Sequence, residues 1–354
     1  MNNRRCPRCQ THFDPPARFC PLDGTPLVEV SPAATPRVSA ADADAPHLEP
    51  DDAARFSLLS GTVLDGRYRI GRKIGEGGMS WVYQAEDVGS GDTVAIKVLP
   101  PRLSRDPDSA ERLRREASIA MRFDHPNVCP ILRLGATAEG SLYLVMPFLA
   151  GETLADFEGH TRQVTAEQAV PILAQVCRGL QHAHDLGVVH RDLKPENVML
   201  VPEGADGEVR AVVMDFGLAK ERRAGPEVVK LTQTGIVLGT PEFMSPEQIR
   251  GRPLDGRSDV YAIGVLSFEL FTGTLPFSGK NAQEMMVARL RGLPRRLREL
   301  RPDLSSRLDS VVNRALALAP DDRYQSMEAL ARAFEDCLES GVLARILTSM
   351  RRRP

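Results

Sequence analysis

The chain has 354 residues, 42% hydrophobic and 26% charged, with a formal net charge of −2. That balance suits a globular chain with a sizeable core. It gives no electrostatic case for nucleic acid or a membrane surface. No run of about 18 apolar residues marks a membrane span, and the opening MNNRRCPRCQ lacks the apolar stretch of a signal peptide.

The first element, residues 1–30, is short and Cys-bearing. Cys6, Cys9 and Cys20 cluster there, whereas Cys129, Cys177 and Cys337 lie scattered in apolar contexts. This is no disulfide framework, and a reducing, cytoplasmic location is expected. The stretch CPRCQTHFDPPARFCPLDGTPL resembles a zinc ribbon, with Cys6-x-x-Cys9 as one knuckle and Cys20-x-x-Asp23 as the other. Zinc takes about four N, S or O ligands. Asp23 stands where a fourth Cys is usual, and His12 is the alternative ligand. The other reading is a metal-free tail with three reduced thiols, although so short a segment has little core without a staple. Residues 31–60, rich in Ala, Pro and Asp, read as a disordered linker.

Residues 61–340 then change character along their length. RYRIGRKI, WVYQAED, TVAIKVL and LYLVMPF read as strands, and most of the remaining segment has helical period. TAEQAVPILAQVCRGLQHAHDLG opens on a capping-box pattern, Thr165 to Gln168. SDVYAIGVLSFELFTG is too continuously apolar for a surface helix. No internal repeat is present, and the chain ends on a basic tail, 341–354.

Three places carry chemistry. IGEGGMSWVY sets Gly75, Gly77 and Gly78 between two strand-like runs. Glycine lets backbone N–H groups approach phosphate oxygens closely, but Gly-rich hairpins are common and the turn alone does not specify phosphate. A strand follows it rather than a helix, which excludes a dinucleotide fingerprint. Lys97 lies inside the apolar TVAIKVL, where it is either a snorkelling edge lysine or a cation held for a phosphate and a carboxylate. Glu116 is the candidate partner, placed by helical spacing on the face of Leu113 and Ala120. Finally, VVHRDLKPENVML puts a charged loop between two strand-like runs, and VVMDFGLAK comes after it with Asp215 at a strand end. Asp192, Asn197 and Asp215 supply hard oxygen ligands of the kind Mg²⁺ prefers, or a base.

With these residues in view, the segment from about 64 to 338 resembles a eukaryotic-like Ser/Thr protein kinase domain of the bacterial type. The carriers are GEGGMSWVY, VAIK, HRDLKPEN, DFG, GTPEFMSPE and SDVYAIG, in fitting order and spacing. The resemblance implies an α+β, bilobal fold with a small β-rich N-lobe and a larger α-helical C-lobe. It implies ATP and Mg²⁺ as cofactors and protein Ser/Thr hydroxyls as acceptors. Gly75, Gly77 and Gly78 would cover the ATP phosphates, with Ile74 beside them. Lys97 would hold the α- and β-phosphates and pair with Glu116 in the active state. Asp192 would accept or orient the substrate hydroxyl proton, Lys194 would meet the γ-phosphate, and Asn197 and Asp215 would hold Mg²⁺. Met146 would be the gatekeeper, and the carbonyl of Pro147 and N–H of Leu149 would pair with adenine. Val82 and Ala95 would pack above that ring and Met199 beneath.

The pattern also assigns Arg191 to a phosphate on Thr232 or Thr234, added in trans by a second copy of the chain, and Thr240 to a structural contact with Asp192 and Lys194. Glu247 is expected to pair with Arg323, and Asp259 to anchor the catalytic-loop backbone. The departures are Ser80 for the third glycine of the loop, and Phe243 and Ser245 where Tyr and Ala are common. Two rival classes stay open: a nucleotide-binding scaffold without catalysis, and an adaptor whose N-terminal module captures a partner protein or ligand. Labelled ATP discriminates the first, and deletion of residues 1–60 the second.

Overall fold

The computed structural model describes residues 4–5, 12–13, 28–29 and 60–338, except 78–79, 100–106, 138–139, 162, 205–207, 217–240 and 280–281. Cys6, Cys9, Cys20, Asp23, Gly78, Thr232, Thr234 and Thr240 lie outside those residues, as do the tail 341–354 and all but the last residue of the expected linker. The chain divides into two units, 1–46 and 47–354.

In the first unit, β1 (Arg4–Arg5) pairs antiparallel with β2 (His12–Phe13) on one side and β3 (Val28–Glu29) on the other.

The second unit starts with a six-stranded antiparallel sheet. Its strands are β4 (Val63–Leu64), β5 (Tyr68–Gly77), β6 (Ser80–Asp87), β7 (Thr93–Val98), β8 (Arg133–Ala136) and β9 (Leu142–Pro147), in spatial order β4-β5-β6-β7-β9-β8. The period of two sorts its side chains onto two faces. Trp81, Tyr83, Val94, Ile96, Val98, Tyr143 and Val145 form one buried cluster. The opposite face carries a register row of Gly75, Val82, Lys97 and Leu144, and beside it Gln84, Ala95 and Met146. A lysine can sit in this apolar strand because it is on the second face. Between β7 and β8 runs α1 (Pro107–Ala120), whose inward stripe is Ala110, Leu113, Ala117 and Ala120.

The larger remainder is mainly helical. Thr165 caps α3 (Ala166–Asp185), after β10 (Glu152–Thr153) and α2 (Leu154–His160). As the sequence predicts, the cap is a reciprocal box: Gln168 N–H donates to Thr165 Oγ1, and Thr165 N–H to Gln168 Oε1. An antiparallel hairpin of β11 (Val198–Glu203) and β12 (Glu208–Val213) comes next. Then come α4 (Pro246–Ile249), α5 (Gly256–Thr272), α6 (Ala282–Arg291), α7 (Leu297–Leu300) and α8 (Ser306–Ala315). α5 is buried on nearly every side and stops at Gly273, which takes φ +66°. Its Val260, Ile263, Val265 and Leu266 centre the main core cluster, which α3, α8 and residues 327–338 complete. The expected Glu247–Arg323 pair is present, two-pronged at 2.7 and 2.9 Å.

One expectation is corrected. The charged loop does not join two strands. Its entry, residues 188–190, is irregular chain after α3, and only its exit continues as β11. The backbone bonds of this entry go elsewhere: Val188 N–H donates to Ala183 O at the end of α3, and His190 N–H to the buried Asp259 carboxylate.

Candidate active site

His190 organises the loop. It is fully buried, its Nε2 donates to Met214 O at 2.9 Å, and its Nδ1 accepts from Asp192 N–H at 3.3 Å. Its ring packs against Phe216 with centroids 4.8 Å apart. One side chain thereby ties the backbone of Asp192 to the residue preceding Asp215. Asp259 in α5 holds the loop from below, accepting from His190 N–H at 2.8 Å, Arg191 N–H at 3.0 Å and His184 Nε2 at 2.7 Å. Burial would push the Asp259 carboxyl up, but His184 and the loop donors outweigh it and hold it below the usual carboxylate range. The bonds from His190 and Arg191 are those the sequence reading expects of Asp259.

Asn197 is nearly buried and closes a 3₁₀ turn, Pro195–Asn197. Its Nδ2 donates to Asp192 O at 2.7 Å, which offers Oδ1 for another partner, and its carbonyl accepts from Met214 N–H at 2.8 Å. Asp215 comes after Met214 with φ +56°. The hairpin therefore brings Asn197 and Asp215 together from its two ends. An amide oxygen and a carboxylate, with Asp192 beside them, fit a hard divalent cation such as Mg²⁺.

Lys97 carries the main difference from expectation. Its Nζ lies 2.6 Å from Asp215 Oδ1, not on Glu116. Glu116 lies in α1, half-buried, next to Ala117 of the inward stripe. Burial would push the Asp215 carboxyl up, but the Lys97 ammonium outweighs it and keeps the group below its usual range.

The remaining sequence candidates separate clearly. Val82, Ala95 and Met146 share the Lys97 face of the sheet, and Pro147 ends β9 opposite Val94. Ile74 is 39% exposed beside Gly75, where the register of β5 on β6 shifts. Leu149 and Met199 are half-buried, the latter on β11 opposite Thr153. Lys194 is half-buried in the loop, just before the 3₁₀ turn. Behind Met146 lies a cavity of about 20 Å³, lined by Cys129, Ile131, Leu144, Met146, Asp215 and Phe216 among others. Burial, then Asp215, pushes the Cys129 thiol up to about 12, so it stays protonated.

Two glutamates near the loop escape a sequence reading. Glu158 in α2 is pushed up to about 8, by burial first and then by Glu269 and Glu196. Glu269 in α5 is pushed up to about 7, by burial and then by Glu196 and Glu242. Ser245, read only as a departure from a pattern, is the N-cap of α4 in a reciprocal box with Gln248. The signal was legible, since S-x-x-Q is a capping-box spacing. His190 has no such local signal, because apart from Asp192 its partners come from Met214, just after β12, and from Asp259 in α5.

The geometry has counterparts in known proteins. Residues 68–334 match the family model described as the protein kinase domain. The chain is 40% identical over 280 residues to serine/threonine-protein kinase Pkn1 of Myxococcus xanthus, covering 79% of this chain and 39% of that protein. It is 39% identical over 266 residues to serine/threonine-protein kinase PknB of Mycobacterium leprae, covering 74% of this chain and 42% of that one. The chain thus spans about two fifths of the length of these two curated relatives. Among solved structures, the kinase domain of Mycobacterium tuberculosis PknI is similar at 29% identity and a TM-score of 0.62, over 79% of this chain and 99% of that one.

Proposed function

We propose that this chain, which belongs to the protein kinase family, transfers the γ-phosphoryl group of ATP to Ser and Thr hydroxyls of proteins. The observation that carries the reading is the convergence of Asp192, Asn197 and Asp215 on one spot, fixed by His190 and Asp259. Asp192 accepts the proton of the attacking hydroxyl, and Lys194 stands beside it to meet γ-phosphate charge. Asn197 Oδ1 and the Asp215 carboxylate hold Mg²⁺, which when bound neutralises charge between the β- and γ-phosphates. Lys97, now on Asp215, turns to the α- and β-phosphates and to Glu116 when the site is loaded. Gly75, Gly77 and Gly78 cover the phosphates. The adenine lies under Val82 and Ala95 and over Met199, past Ile74, with Met146 as gatekeeper and Pro147 O and Leu149 N–H on its edge. Most of the rate comes from positioning and electrostatic stabilisation.

The finer readings are proposals of the same kind. Residues 1–30 form a zinc module with Cys6, Cys9, Cys20 and either Asp23 or His12 as ligands. The short strands β1, β2 and β3, which bracket these cysteines in sequence, support it. Residues 31–60 link it to a kinase domain over 61–340, and the module serves a partner protein or ligand. Among the described residues no helix is long and apolar enough to cross a membrane. A cytoplasmic place, and a second copy of the chain as partner in trans-phosphorylation, belong to the same proposal. Transfer from labelled ATP to casein tests the activity: the wild type labels it with Mg²⁺ present, and Lys97→Met does not. Equal labelling by both would exclude the role given to Lys97, and no labelling of casein or of the chain itself would exclude the kinase.

A further inference from the structure

The peptide bond from Arg191 into Asp192 is held at both ends. Its N–H, on Asp192, donates to His190 Nδ1 at 3.3 Å. Its carbonyl, on Arg191, accepts from Gln248 Nε2 at 2.7 Å. Because a peptide is planar, two bonds on opposite edges fix the plane, and with it the direction in which Asp192 leaves the backbone. The clamp is needed. Arg191 sits at φ +66°, a left-handed conformation unfavourable for a residue with a Cβ. Such strain persists only where the surroundings over-determine it. Asp259 holds the preceding N–H at 3.0 Å, and Gln248 completes the restraint from the other side.

Gln248 belongs to a different segment, α4. The other end of the same amide, Oε1, accepts from Ser245 N–H at 2.9 Å, and Ser245 Oγ accepts from Gln248 N–H at 3.4 Å. One side chain therefore faces two ways: Oε1 caps α4, and Nε2 grips the loop. We propose that Gln248 is a positioning residue for phosphoryl transfer, its Nε2–H₂ clamping the Arg191 carbonyl so that the seating of α4 sets the aim of Asp192. This rests on the kinase reading above. It assigns Gln248 a role that neither Asp259 nor His190 supplies, because within Arg191–Asp192 those two hold only the N–H groups and Gln248 alone holds this carbonyl among the described bonds.

The two functions of the amide can be separated. Gln248→Glu keeps the length and the acceptor for Ser245 N–H, since Glu serves equally in a capping box. It replaces the donor with a carboxylate oxygen facing a carbonyl. In the full-length chain, the melting temperature should stay close to wild type, and KM for ATP should be unchanged. The kcat for casein labelling should fall about tenfold or more, the effect of a lost and then repulsive hydrogen bond. The loss should depend on pH. The introduced carboxyl group donates again once protonated, so the variant-to-wild-type ratio should climb as pH falls from 8 toward 6. Hydrogen exchange at the Arg191 and Asp192 amides should accelerate in the variant. Gln248→Ala loses cap and clamp and should lower both melting temperature and kcat. Wild-type kcat in Gln248→Glu, a loss flat with pH, or unchanged exchange at the two amides would each overturn the clamp. A wild type that labels neither casein nor itself would overturn the kinase reading instead, and the exchange measurement would still judge the clamp.

Discussion

Arg323→Leu tests how the large lobe is held together. Arg323 is fully buried, and its guanidinium donates to Glu247 Oε1 and Oε2, to the carbonyls of Ala317 and Leu318, and to Arg257 O. It also lies 4.9 Å over the ring of Tyr261. Glu247 is 6% exposed and has one further side-chain donor, the Ser258 hydroxyl at 2.7 Å. Removing the arginine leaves a buried carboxylate and three carbonyls without this donor. Breaking a buried pair in this way costs about 3–5 kcal/mol. In a domain of this size that corresponds to a fall in melting temperature of roughly 10 °C.

The sign with pH is set by Glu247. In the wild type, burial pushes its carboxyl up, but the Arg323 and Ser258 bonds outweigh burial and hold it below its ordinary value. The pair's contribution is therefore fully present above that ordinary value and is lost as pH falls through the lower, folded one. In Arg323→Leu burial acts without the arginine, so the deficit should be largest near pH 8 and shrink toward pH 5. Urea unfolding at several pH values reads both effects. Adding Glu247→Leu should recover part of the loss, because no charge is then left buried. A deficit under about 1 kcal/mol, or one that does not change with pH, would refute the reasoning.

Other outcomes come from the same structure. Glu158 and Glu269, raised to about 8 and about 7, keep protons in the folded chain that the unfolded chain releases above 4.5. Stability should therefore decline as pH rises from 5 through 8, and Glu158→Gln with Glu269→Gln should flatten the urea-midpoint profile. Protein purified without chelator should carry about one Zn²⁺ per chain, lost in Cys6→Ser with Cys20→Ser. Asp23→Ala and His12→Ala, compared for zinc retention against a chelator, should name the fourth ligand. Mass spectrometry of active protein should find phosphate on Thr232 or Thr234, and the double Ala variant should be less active.

The architecture was legible where a period or a motif is local. β6 announces itself by alternation, β7 and β9 by short runs rich in apolar residues, α3 by Thr165 and Gln168, and α5 by its continuous apolar run. β8 was not legible, because RLGA is short and its burial pattern does not alternate. The site was legible as a set of residue types in order, but not as a set of contacts. Lys97 is found on Asp215, 118 residues away, and nothing in the local pattern of TVAIKVL chooses between two carboxylates. His190, Gln248 and the raised glutamates were missed for the same reason: each acquires its role from a neighbour on another element.

The most direct test of the central claim is brief incubation of the full-length chain with Mg²⁺ and ATP, then mass spectrometry of every phosphorylated residue, beside Asp192→Asn. The account predicts phosphoserine or phosphothreonine in the wild type and at least about a hundredfold less in the folded variant. Near-normal phosphate in Asp192→Asn, or phosphotyrosine alone in the wild type, would contradict it.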